Sequence, residues 1–218
     1  MSPEGVRILI ADDHELIRRG LVAAVADRPE WTVVAEAANG RQAVELARKL
    51  NPHIVILDLT MPELNGLDAA RQIRALAPAT RILIVTAHES EQLVREVLEA
   101  GATGYVLKSD AGGVLVRAID ALLAGRSFFT SSVGRLVLEG YLRGGRVEER
   151  AGEQRLSPRE REIVQLLAEG QSNKDVARIL ELSVKTVETH RGNIMNKLGL
   201  DSLAELVRYA IRNKIVGP

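Results

Sequence analysis

The stretch "HIVILDLTMPELNG", residues 53–66, decides how the chain folds. Four consecutive apolar residues, Ile54 to Leu57, stop at Asp58, and Pro62 and Gly66 follow. An apolar run without polar alternation predicts a strand buried on both faces, as in a parallel sheet. The carboxylate at its end is either a cap for the turn or a chemical group carried on a rigid rod.

Outward from this stretch the same motif repeats. Short apolar runs occur at 6–11, 33–38, 82–85 and 105–107, and helically spaced segments lie between them, such as Leu16, Leu21 and Val25 or Ala43, Leu46, Ala47 and Leu50. Asn39-Gly40, Pro78 and Gly101 punctuate the joins. Five strands alternating with helices predict an α/β domain with a mostly parallel sheet over residues 5–125. After Gly125 the pattern changes. Residues 126–155 read as a linker: Val133, Leu136, Val137 and Tyr141 share one helical face, and a Gly-rich, charged tract follows at 143–155. From Leu156 to about 216 every segment has helical spacing.

Composition narrows the class. The 218 residues are 46% hydrophobic and 27% charged, the balance of a globular protein, and aromatics make up only 3%, so the core is aliphatic. The absence of Cys excludes thiolate metal sites and cysteine nucleophiles. No apolar run approaches the roughly 18 residues of a membrane span, and the N-terminus lacks a basic leader, so a cytoplasmic chain is expected. The net charge is zero, but residues 1–130 carry 14 Lys and Arg against 17 Asp and Glu, and the remainder 15 against 12. A basic second half suits a polyanionic partner.

The strands end in chemistry. The first stops at Asp12-Asp13, the third at Asp58, the fourth at Thr86 and the fifth at Lys108. In an open parallel sheet these carboxyl ends share one edge, so three carboxylates, a hydroxyl and an ammonium converge. Strand-end Asp and Thr often only cap the next helix, but four complementary ends point to a site. Carboxylates this close repel one another unless a cation sits among them, and an all-oxygen set suits Mg²⁺. Lys108 can reach a phosphoryl oxygen as a point charge, and a carboxylate on a strand end can attack phosphorus. Asp58 therefore reads as a residue that accepts a phosphoryl group.

"ILIADDHELIRRGL", "HIVILDLTMPELNG", "ILIVTAHE" and "GATGYVLKSD" resemble the receiver domain of bacterial two-component response regulators. The resemblance implies a flavodoxin-like, doubly wound five-stranded sheet of order 2-1-3-4-5, with Asp58 phosphorylated by a sensor histidine kinase. It implies that Asp13 ligates Mg²⁺ directly and Asp12 partly through water, with Asp58 and the Thr60 carbonyl completing the protein ligands. It further implies that Thr86 bonds the arriving phosphoryl group and that Tyr105 then swings inward. Many receivers have Pro after the lysine, and this chain has Ser109, where a cis bond costs about 3 kcal/mol rather than under about 1.

Near the C-terminus, Ser157, Pro158 and Glu160 spell a capped helix start, ending at Gly170. A helix over 173–180, a turn at Glu181-Leu182-Ser183 and a helix over 184–198 closed by Gly199 follow. Val184, Val187, Ile194 and Leu198 fall on one face of this helix. Lys185, Thr189, Gly192 and Asn196 fall opposite, flanked by Glu188 and Asn193, as in a helix presented to a major groove. Residues 156–216 resemble the LuxR-type helix-turn-helix, and the whole chain resembles the NarL/FixJ family. That resemblance implies a homodimer when active, double-stranded promoter DNA as partner, and base contacts from Lys185, Glu188 and Thr189 beside Gly192 and Asn193. Lys174, Arg191 and Lys197 are candidate phosphate contacts. A helix at about 202–213 would support dimerisation. The charge split also suggests that the receiver restrains its own output domain.

Two other functions compete. An aspartate-nucleophile phosphatase shares this chemistry but wants a second acid two residues after the nucleophile, where Thr60 stands; the expectation is a regulator that assists only its own phosphoryl transfer and loss. A receiver whose helical domain binds protein or RNA is the third reading. The four histidines show no metal-binding spacing, and no phosphate-binding glycine motif occurs.

Overall fold

The computed structural model describes residues 5–131, 133–135 and 156–217, which fall into two compact units. In the first, strands β1 (Val6–Ala11), β2 (Trp31–Ala37), β3 (Ile54–Leu57), β4 (Arg81–Thr86), β5 (Gly104–Leu107) and β6 (Phe128–Phe129) form one parallel sheet of order β2-β1-β3-β4-β5-β6. Every side chain of β3 is buried, as its unbroken apolar run predicts. Helices α1 (Glu15–Ala26), α2 (Gly40–Leu50), α3 (Gly66–Leu76), α4 (Glu91–Glu99) and α5 (Ala111–Leu123) connect the strands.

Strand side chains alternate between faces, and each face has its own helices. Ile8, Ile10, Ile54, Ile56, Leu83 and Val85 pack with Leu21 and Val25 of α1 and Leu115, Ala118, Ile119 and Leu122 of α5. The other helices neighbour one another as α2 with α3 and α3 with α4, the arrangement of a doubly wound sheet. The pairings Ala11↔Leu57, Leu57↔Ile84 and Thr86↔Leu107 bring the strand ends to one level. That register makes a site of residues far apart in sequence.

Two details differ from the expectations. The sheet has a sixth strand among the described residues. A two-residue strand is too short to show a period of two; the chain turns at Gly125, with φ +74°, and Phe128-Phe129 then pairs with the edge of β5. Leu16 is 82% exposed rather than part of the apolar face of α1, which runs instead through Ile17, Leu21 and Val25 at i, i+4 and i+8. The expected helix through Tyr141 and the tract at 143–155 lie almost wholly outside the described residues. The Lys108–Ser109 bond is trans, like every described peptide bond.

The second unit holds helices α6 (Pro158–Ala168), α7 (Asn173–Ile179), α8 (Val184–Leu198) and α9 (Leu203–Arg212). Ser157, Ser172, Ser183 and Ser202 each cap a helix by accepting a backbone N–H, and Ser157 and Glu160 close a reciprocal capping box. Gly199 ends α8 in the left-handed conformation, φ 62°. Val176, Ala177, Val187, Ile194, Leu206 and Ala210 are among the residues that fill the core. Val184, expected on the buried face, sits in the first turn of α8 and stays 41% exposed, so the seam begins at Val187.

Candidate functional site

The strand ends meet as the register demands. Asp12 is fully buried at the end of β1, and Asp58 is buried at the end of β3. Lys108, one residue past β5, bridges them: its Nζ lies 2.8 Å from Asp12 Oδ2 and 3.0 Å from Asp58 Oδ2. Asp58 Oδ1 accepts the Leu59 N–H at 2.8 Å, and Asp12 Oδ1 accepts the His14 N–H at 2.9 Å. Both carboxylates are thereby oriented by backbone. Behind Asp58, the Gly66 N–H donates to the Leu59 carbonyl at 2.8 Å. A Cβ on Gly66 would stand 1.8 Å from the Asp58 carbonyl oxygen, so glycine alone lets the loop close under the acid.

Burial sets the electrostatics. It pushes the Asp58 carboxyl above its ordinary range; the Lys108 ammonium pulls the other way, and Asp12 adds to the rise. Burial also works against a charged Lys108, but Asp12 and Asp58 outweigh it and hold the ammonium above its ordinary pKa. One cation thus shares two carboxylates, with Asp13 beside them. Single ligand atoms of Asp12, Asp13, His14 and Asp58 all lie within 4.8 Å of one another. An oxygen-rich set, buried at Asp12 and Asp58 and open to solvent at Asp13, whose acids outnumber its one ammonium, fits a small hard dication such as Mg²⁺.

His88 links three other residues of this edge. Its N–H donates to Thr86 Oγ1 at 3.3 Å, and its Nε2 lies 3.1 Å from Thr60 Oγ1. Its carbonyl accepts the Tyr105 hydroxyl at 2.7 Å. Tyr105 is fully buried here, so the inward position expected only after phosphorylation is the one this structure holds. The His88 carbonyl, in the loop between β4 and α4, satisfies the phenol O–H. Burial raises its pKa, and the negative charges of Glu89 and Asp58 raise it further.

On α8, Lys185, Glu188, Thr189, Gly192, Asn193 and Asn196 are exposed on one face, opposite Val187 and Ile194. The Lys185 side chain is 87% exposed, and its Nζ lies 3.8 Å from Glu188. Thr189 Oγ1 donates to the Lys185 carbonyl, and a Cβ added at Gly192 would meet nothing within 4 Å. Lys174 is exposed on α7, and Arg191 Nη1 lies 3.5 Å from Asn173 Oδ1. Lys197, the third candidate phosphate contact, is held in an ion pair here. Near the end of α8 it faces the start of α6, where its Nζ pairs with Glu160 at 2.7 Å, and this hydrogen bond holds the Glu160 carboxyl below its usual range. Sequence reasoning passed over Arg18, which contacts Asp12 and Glu36, and found no metal-binding spacing at His14. His14 precedes α1, and its Nδ1 lies 2.8 Å from Asp13; adjacency to the acid pair was the available signal.

A doubly wound parallel sheet with acids and a lysine at its carboxyl edge, followed by a helix-turn-helix unit, is the build of a signal-responsive regulator. Residues 8–120 match the response regulator receiver domain, and residues 154–210 match the luxR family of bacterial regulatory proteins. The chain is 35% identical to the transcriptional regulatory protein MctR of Rhizobium johnstonii, covering 97% of this chain and 95% of that one. It is 34% identical to the nitrate/nitrite response regulator protein NarL of Escherichia coli, covering 98% and 99%. A structure of two RcsB dimers bound to two parallel DNAs superposes with a TM-score of 0.57 at 29% identity, covering 94% of this chain and 97% of that one. The chain belongs to the two-component response regulators that join a receiver to a LuxR-type helix-turn-helix, and it is a transcriptional regulator of that class.

Proposed function

We propose that Asp58 takes a phosphoryl group from a cognate sensor histidine kinase and that this modification promotes homodimerisation and promoter binding through α8. The observation that carries the reading is Lys108, held 3.0 Å from Asp58 and 2.8 Å from Asp12 at the edge of the sheet. Asp58 is the nucleophile: a carboxylate oxygen bonds to phosphorus as the bond from phosphorus to the kinase imidazole nitrogen breaks. The imidazole departs with the electron pair and a proton from solvent. Lys108 neutralises charge on the incoming phosphoryl oxygens, and the Thr86 hydroxyl turns its proton toward one of them while still accepting from His88. Asp12, Asp13, Asp58 and the Thr60 carbonyl would hold Mg²⁺, which supplies Lewis-acid charge neutralisation at the phosphoryl oxygens.

The acceptor domain spans 5–125 and the DNA-binding domain 156–216 in this reading, joined through 126–155. No described helix is long and apolar enough to cross a membrane, and the protein acts in the cytoplasm, where kinase and chromosome are both accessible. Full-length protein incubated with Mg²⁺ and acetyl phosphate should gain the mass of one phosphoryl group and bind promoter duplex more tightly. Asp58→Asn should do neither. Equal mass gain by the variant overturns the assignment of Asp58, and sustained turnover of an aryl phosphate would point instead to the phosphatase.

A further inference from the structure

Arg18 is a half-buried cation that the phosphoryl chemistry does not use. It closes the first turn of α1, and its side chain is only 16% exposed. Its Nη1 donates to the Asp12 carbonyl at 2.7 Å, and its Nε donates to Glu36 Oε2 at 3.1 Å. Glu36 is the penultimate residue of β2, beside the Ala11↔Ala37 pair at which β1 and β2 end together. The guanidinium therefore ties the first residue beyond β1 to the neighbouring strand.

The Asp12 carbonyl is a significant place to hold. It belongs to the peptide that joins Asp12 to Asp13, so its direction sets where both acids point. The Asp12 amide already donates to Ala37 at 3.1 Å, and the Asp12 carboxylate accepts the His14 N–H at 2.9 Å. Arg18 completes the restraint from the carbonyl side. A fork of fixed donors can bridge a carbonyl and a carboxylate simultaneously, whereas a lysine offers one flexible point charge. Glu36 neutralises the guanidinium, so the clamp adds little positive charge beside a cation site. A plain surface ion pair would account for the Glu36 contact alone, not for the bond to the Asp12 backbone.

We infer that Arg18 is a positioning residue for the divalent cation, holding the Asp12–Asp13 peptide so that both carboxylates face the pocket. This rests on the proposal that these acids bind Mg²⁺. Partners that orient metal ligands typically carry about 10- to 100-fold in metal affinity.

The test is Mg²⁺ titration calorimetry on the full chain, paired with the Mg²⁺ dependence of phosphorylation by acetyl phosphate. Arg18→Ala should weaken Mg²⁺ binding about 10-fold and raise the half-saturating Mg²⁺ concentration by the same factor. Its rate at saturating Mg²⁺ should stay within about two-fold of wild type, because the reacting groups are untouched. Arg18→Lys should show most of the loss, and Glu36→Gln, which keeps an acceptor but removes the negative charge that anchors the guanidinium, about a three-fold loss. If Arg18→Ala lowers only the melting temperature and binds Mg²⁺ as wild type does, the inference is overturned. If Arg18→Ala does not fold, an unchanged affinity in Glu36→Gln overturns it. A wild-type protein that binds no Mg²⁺ at millimolar concentration removes the cation reading itself and Arg18's role with it.

Discussion

Because burial lifts the Asp58 carboxyl above its ordinary range further than Lys108 lowers it, the ionised side chain weighs against the folded state near neutral pH. The folded protein binds this proton more tightly than the unfolded chain does. Stability therefore falls as pH rises from the ordinary carboxylate value of about 4 through the elevated folded value. Asp58→Asn should melt higher than wild type at pH 7, and the gap should close as pH drops toward 4. Added Mg²⁺ should narrow it from the other side by stabilising the wild type more. A variant that melts lower than wild type at pH 7 contradicts this sign. At the same edge, Thr60 and His88, two residues beyond Asp58 and Thr86, lie 3.1 Å apart and are expected to flank the path of hydrolytic water. Neither offers a carboxylate or carboxamide to orient that water, so the acyl phosphate should decay slowly. Thr60→Asn should shorten its lifetime in a mass-spectrometric chase, and an unchanged lifetime excludes control from this position.

Helix α8 shows the conflict between being stable and being presentable. Its cap is strong at both ends, yet Gly192 stands in its interior with open space around it. Glycine there costs about 1 kcal/mol relative to alanine, and nothing within the domain requires it. Gly192→Ala should raise stability by roughly that amount by thermal melts. If the helix backbone lies close against the groove, the same change should weaken promoter binding; tighter binding would show that the gap serves no approach to DNA. Lys185→Ala on the same face should cost about 1–3 kcal/mol of specific binding.

For the whole molecule, the acidic balance of residues 1–130 and the basic balance of the remainder motivate restraint of the DNA-binding half by the receiver. Raising an active fraction from about 1% to about 50% needs under about 3 kcal/mol of differential stabilisation. A fragment from Glu153 to Pro218 should then bind promoter DNA more tightly than the unphosphorylated full chain at equal salt. Equal binding would place all control in dimerisation. What could be read from sequence at this scale follows a simple division. The strands, the acids at their ends, Lys108 and the Ser-capped helices depend on local periods and on the rule that parallel strands end together. Leu16, the β6 pairing, the ion pair of Lys197 with Glu160 and the Arg18 clamp depend on which surfaces meet across the fold. No period in the chain records those meetings.

The short sixth strand has a practical consequence. Thr130 follows it immediately, and its N–H donates to the carbonyl of Tyr105 at 3.4 Å. The backbone of the buried tyrosine is thus tied to Thr130, just beyond β6. That single amide is a natural probe for proton–deuteron exchange. Any rearrangement of Tyr105 that tugs on its peptide should change how fast Thr130 exchanges, while Phe128, bonded to Thr103 at 3.2 Å, provides a reference two residues away. Comparing the two amides with and without phosphodonor would follow the passage of the signal out of the sheet without mutation.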